Sequence, residues 1–222
     1  MPGFTIQQPS RENSLILDEG LQKISKQVVI DLGMASLQAI GSDHICKVCI
    51  SNSGSCCSGC RHLSDRVGCQ RRNTSCTAWL CGFIKYVLYE TGYLQQWNDF
   101  WEQVPGQDFR VDYTPDSFSI HHCLKLPNMR SLSEALAADL QELAQTHIAI
   151  GFILTLREKL DKNIDQFMFY HDEPAKQARI RKRIEFLSLP FERFHLALPD
   201  FMERCSDWPD GQDNLSVLSE KI

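Results

Sequence analysis

The stretch that decides how this chain is read is 46-CKVCISNSGSCCSGCRHLSDRVGCQRRNTSCTAWLC-81, which holds eight of the ten cysteines in 36 positions. Their order is Cys46-x2-Cys49-x6-Cys56-Cys57-x2-Cys60-x8-Cys69-x6-Cys76-x4-Cys81. A thiol is packed, bridged to another thiol, or bound to a metal, and this density exceeds what packing alone requires. Residues 42–75 carry Ser, Gly, Asn and Cys in quick succession, with neither helical nor strand periodicity. A polar segment of that length, poor in core-formers, needs another source of order. Metal ligation supplies one, because it replaces the missing hydrophobic core.

Helical patterns flank this segment. Leu17, Leu21, Ile24, Val28 and Leu32 lie three or four apart and predict a helix from about Glu12 to Ala39, stopped by Gly41. Gly33 sits inside that pattern. After the cysteines, Trp79, Leu80, Phe83, Ile84, Val87 and Leu88 predict a helix over 75–90, broken by Gly92. A short aromatic helix is expected over 94–103, a turn at Pro105-Gly106, and a short strand where Phe109, Val111 and Tyr113 alternate with polar residues. Ser131 and Glu134 form a capping-box pattern. It opens the clearest helix, with Leu132, Leu136, Leu140, Leu143, Ile150, Leu154 and Leu160 recurring toward Lys162. A basic helix follows from about Pro174 to Leu187.

The expected fold class is mainly α: a helical domain with an irregular cysteine-rich metal-binding insert and little or no sheet. The chain, 1–222, reads as one domain. Its parts are an N-terminal helix (1–41), a cysteine-rich metal module (42–82), a helical body (83–198) and an acidic tail (199–222).

An apolar fraction of 43% allows a real core, and a net charge of -5 excludes a uniformly cationic nucleic-acid coat. The charge is uneven. His44 to Cys81 carries four Arg and one Lys against one Asp, whereas Pro199 onward carries six acids against two bases. The first residues, MPGFTIQQPSRENS, show no secretory pattern, and no stretch is long and apolar enough for a transmembrane span. A cytoplasmic, reducing setting is therefore expected. Disulfides are rare there, which favours metal or catalytic roles for the thiols.

Two close pairs, Cys46-x2-Cys49 and Cys57-x2-Cys60, let sulfurs converge on one ion. Cys69, Cys76 and Cys81 follow, Cys56 adjoins Cys57, and His44 and His62 offer nitrogen. Arg61, Arg66, Arg71 and Arg72 offset thiolate charge. Cys76 lies near a helix start, where the dipole favours thiolate. Cys81 lies about 140° further around that helix. All eight cysteines, Cys46, Cys49, Cys56, Cys57, Cys60, Cys69, Cys76 and Cys81, are candidate metal ligands. Cys57, Cys60, Cys69 and Cys76 are the candidates for holding an iron–sulfur cluster, with zinc as the alternative.

The segment Cys56–Cys81 resembles the small cysteine-rich proteins described as zinc- or iron-chelating domains. The resemblance rests on Cys56-Cys57, Cys60, the Gly68-Cys69 step, and Cys76 and Cys81 on an aromatic-bearing segment. It implies a bound metal and no particular reaction, and it leaves out Cys46, Cys49 and the long helices.

Other features carry bland readings beside sharp ones. Lys176, Arg179, Arg181, Lys182 and Arg183 crowd one helix, which can lie along phosphates, face solvent, or pair with the acidic tail. Tyr86, Tyr89, Tyr93, Trp97, Phe100 and Trp101 suit a core, or else a stacking platform. Cys123, after His121-His122, and Cys205 stand apart as buried or incidental thiols, or else the trio His121-His122-Cys123 reaches the cysteine site from a distant point in sequence. His171-Asp172-Glu173 reads as a helix lead-in, or else as a functional carboxylate–imidazole group. No pattern identifies a catalytic residue.

The function expected from the sequence is metal binding, through an iron–sulfur cluster with an electron-transfer, redox-sensing or structural role. The alternatives are a zinc-stabilised nucleic-acid-binding regulator and a thiol-dependent redox enzyme. The expected partner is a protein. Nucleic acid is the other candidate, through Arg61, Arg66, Arg71, Arg72 and the helix over 176–183, and no membrane is expected.

Overall fold

A computed structural model describes residues 21–55, 63–64, 68–69, 72–108, 111–147, 149 and 151–205. Helices dominate. The chain enters through β1 (Gln22–Ser25), α1 (Lys26–Ile40) and α2 (Ser42–Ser51). The short strands β2 (Leu63–Ser64) and β3 (Gly68–Cys69) follow, then α3 (Thr74–Ala78), α4 (Gly82–Glu90) and α5 (Leu94–Glu102). Next come β4 (Gln107–Asp108), β5 (Val111–Asp112) and β6 (Ser117–Ile120). The chain then runs through α6 (Arg130–Thr146), α7 (Phe152–Phe169), α8 (Pro174–Ser188) and α9 (Glu192–Cys205). Among the described residues the strands make three antiparallel pairs, β1–β6, β2–β3 and β4–β5.

The N-terminal pattern is only partly helical. Gln22 to Ser25 pair with Ile120 to Ser117, so Ile24 reaches the core from a strand. Ser25 then caps α1, its hydroxyl accepting the Val28 N–H at 3.3 Å. Gly41 ends α1 in the left-handed region, φ 80°, where its N–H returns to Gln38 and Leu37. Gly33 is a packing residue. A Cβ there would lie 2.5 Å from both Thr77 Cγ2 and Trp101 Cζ2, so α1 needs glycine to approach α3 and α5.

The helix expected from Ser131 to Lys162 is two helices. Gly151, at φ 80°, separates α6 from α7, and His147 stacks on Phe152 across the bend with ring centroids 3.9 Å apart. The capping box does not form. The first amide of α6, on Arg130, bonds the Asn128 side chain at 3.1 Å, and Glu134 pairs with His44 instead. The stripe itself is real: Leu132, Leu136, Leu140 and Leu143 are buried. Each such side chain contributes about 1.5–3 kcal/mol of burial.

The helix pairs α4–α7, α7–α8, α6–α9 and α2–α6 pack against one another. The buried side chains form one cluster, with Phe83, Tyr86, Trp97, Phe100, Phe191, Phe194 and Phe201 among its largest. The aromatic group of the sequence is thus largely core, as Tyr86, Trp97, Phe100 and Trp101 are buried. Trp97 Nε1 donates to the Ala78 carbonyl at 2.9 Å, meeting its polar requirement.

The irregular metal-binding insert is not part of the described fold. Residues 42–51 form α2, with Ile45, Val48 and Cys49 buried on the stripe that meets α6. Ile45, Val48 and Cys49 already carry the i, i+3, i+4 spacing of a helix face. Reading Cys49 as a ligand hides the pattern, because its buried thiol also fills a position of that helix face.

Candidate functional site

The described thiols of the cysteine-rich stretch are spread over α2, β3, α3 and the start of α4. Cys46 and Cys49 belong to α2, Cys76 to α3, and Cys81 is the N-cap residue of α4. The helix expected over 75–90 is broken at Trp79, whose extended backbone divides α3 from α4. Cys76 and Cys81 therefore do not share a helix. Asn73 caps the five-residue α3 by accepting the Cys76 amide at 2.8 Å. Cys69 lies on β3 opposite Leu63. Cys56, Cys57, Cys60, His62, Arg61, Arg66 and Arg71 lie outside the described residues.

Cys49 and Cys81 are buried, and Cys46 is half-buried beside them. Burial, reinforced by Cys81 and Cys49, pushes the Cys46 thiol up to about 12. Burial also raises Cys49, against the pull of Arg157, whose Nη1 lies 3.4 Å from its sulfur. Thiol exchange needs thiolate, and this environment disfavours it.

Among the described residues no group of three or more His, Cys, Asp or Glu is placed to hold a metal ion. This corrects the expectation of an iron–sulfur or zinc cofactor at these cysteines. It equally corrects the electron-transfer, zinc-regulator and thiol-redox readings, and removes support for the resemblance to chelating domains. Cys46, Cys49, Cys76, Cys81, Cys123 and Cys205 form no disulfide among the described residues. Cys123 lies beside β1, its sulfur 3.7 Å from Gln22 Oε1, and His171 pairs with Asp172 on an exposed turn.

The distinctive surface is on α8. Pro174 starts this helix, and Ile180, Ile184 and Ser188 form the buried stripe of a helix that packs on α7. The same periodicity puts Arg179, Lys182, Phe186 and Leu189 on the opposite side, with Arg183 at its edge. All five are exposed, Phe186 at 73% and Leu189 at 64%.

The bases of α8 do not act alike. Lys176 pairs with Glu173 at 2.8 Å and lies 4.4 Å over the Tyr170 ring. Arg181 turns to the flank, 5.4 Å over the Phe167 ring. Arg179, Lys182 and Arg183 form no ion pair with a described residue. Three outward cations therefore border two exposed apolar side chains on one helix.

The basic run was legible in the sequence, and the helix occupies nearly the expected span. Phe186 and Leu189 were missed as site residues because Phe and Leu near a buried stripe read as core. Their offset from Ile180 and Ile184, about 200° and 140° from the middle of the buried stripe, is the signal that separates them. No family model, curated protein sequence or solved structure matches the chain.

Proposed function

We propose that this chain is a helical interaction protein that docks an acidic, apolar-bearing segment of a partner protein on the outer face of α8. The observation that carries this reading is the exposure of Phe186 and Leu189 beside Arg179, Lys182 and Arg183. Side chains of that size exposed beside charge are common anchors of helix-based recognition. The bases complement an acidic partner and repel basic ones on a chain of net charge -5.

Two other partner classes fit less well. Nucleic acid would gain from about three phosphate contacts, a small counterion-release footprint, and the two apolar side chains would face a polyanion. A membrane surface needs a broad apolar face, but the apolar stripe of α8 is packed on α7. No described helix is long and apolar enough to cross a membrane.

The test titrates four fluorescent probes with the full chain, reading anisotropy. They are a peptide alternating Asp and Leu, a peptide alternating Asp and Ser, a DNA duplex, and vesicles of anionic lipid. The expected result is tightest binding to the Asp–Leu peptide. Preference for the duplex or the vesicles would overturn the assignment, as would equal binding of the two peptides.

A further inference from the structure

A cleft of about 420 Å³ opens on the flank of α8, between it, α7 and the α4–α5 turn. Its size is within the range of small-ligand sites, about 300–1,000 Å³. Leu94, Phe167, Met168 and Ile184 supply apolar lining, and Tyr89, Glu90, Arg181 and Glu185 supply the polar groups. Gly92 also borders the cleft, and nothing lies within 4 Å of the position a Cβ would take there.

The charges are arranged to meet a ligand of both signs. Arg181 lies over the Phe167 ring and faces the Tyr89 hydroxyl. Neither Arg181 nor Glu90 forms an ion pair with a described residue. Glu90 is half-buried and held by the Tyr86 hydroxyl, which also lies 2.9 Å from His195 Nε2. Burial holds the Glu90 carboxyl above its ordinary value, with Glu185 adding to the rise and the Tyr86 hydroxyl and Arg181 opposing it. One guanidinium and two carboxylates thus border an apolar lining.

We propose that this cleft binds a free α-amino acid with an apolar side chain. Arg181 takes the carboxylate, Glu90 with Glu185 takes the ammonium, and the side chain lies against Ile184, Leu94 and Phe167. A planar guanidinium suits a carboxylate through paired N–H donors. A partly desolvated carboxylate gains most from a cation that restores its lost hydration. A simple fatty acid would leave the two glutamates unanswered, and a simple amine would leave Arg181 unanswered. The site is separate from the outer face of α8 and does not depend on the partner assigned there.

Calorimetry on the full chain tests this with L-leucine and L-phenylalanine, beside L-leucinamide and 4-methylpentanoate. Both amino acids are expected to bind, with the amide and the fatty acid weaker by about tenfold or more. Arg181→Gln should weaken L-leucine by a similar factor and leave the amide unchanged. Glu90→Gln should weaken L-leucine and leave 4-methylpentanoate unchanged. Arg181 is exposed, so its variant keeps the fold even if Glu90→Gln, through Tyr86, does not. Absence of binding by both amino acids overturns the proposal. So does equal binding of the amide, or an unchanged affinity in Arg181→Gln.

Discussion

The Asp139 carboxylate on α6 accepts the Phe194 amide of α9 at 3.0 Å, so one helix caps the first turn of another. Asp139 is 2% exposed and also accepts the Arg193 amide at 3.2 Å and Arg193 Nη1 at 3.0 Å. Asp139→Ala leaves the amides without partners, at a cost of about 2–3 kcal/mol. Urea unfolding should show that loss, and Asp139→Asn, which keeps one acceptor, should recover part of it. An Ala variant as stable as the wild type would show that α6 and α9 are held by packing alone.

Gly33 is expected to tolerate no side chain. A methyl group there meets Thr77 and Trp101 at 2.5 Å, so Gly33→Ala must push α1 away from α3 and α5. Overpacking of this kind costs about 1–3 kcal/mol, which outweighs the higher helix propensity of Ala. A thermal melt that rises in Gly33→Ala would contradict the close approach.

Asp112 ties acid stability to the join between α1 and α3. Burial pushes its carboxyl up, but hydrogen bonds from Lys26, Thr74 and Thr114 outweigh this and hold it at about 2. A depressed carboxyl contributes stability above its unfolded pKa, and that stability is lost as pH falls through the folded value. From about 3.8 to about 2 the chain should lose about 2 kcal/mol, and Asp112→Asn should remove that slope. The same slope in both proteins would place the acid transition elsewhere.

The thiols of α2 and α4 should be inert. With Cys46 pushed up to about 12, on the order of one molecule in 10⁵ is thiolate at neutral pH. Alkylation of the native protein, mapped by mass spectrometry, should spare Cys46, Cys49 and Cys81 until denaturant is added. Rapid native labelling at Cys49 would show that this part of the core is open.

The sequence was legible where local chemistry and tertiary packing agree. Gly41 stops α1 because only a left-handed residue closes that cap, and α8 follows the isoleucine spacing from Pro174. It misled where one signal had two causes. Ile24 fits a helical stripe and a strand equally, and pairing with Phe118 makes it a strand. Ser131 and Glu134 match a capping box, but Asn128 is nearer the first amide and His44 draws Glu134 away. The cysteine density pointed to metal because a sequence shows thiols without their surroundings. Burial of Cys49 beside Arg157 and of Cys81 in the apolar core is a tertiary fact. The α8 surface was half legible, since its charges announce themselves and the exposure of Phe186 does not.

The central claim is that the charges and the apolar anchors on α8 bind one partner together. The direct measurement is the affinity of the Asp–Leu peptide for the wild type, Arg179→Glu/Lys182→Glu and Phe186→Ser/Leu189→Ser. All of these side chains are exposed, so the melting temperatures should stay close to that of the wild type. The account predicts that each pair of substitutions weakens binding by about tenfold or more, and that added salt weakens only proteins that retain the bases. Undiminished binding by either double variant would contradict it.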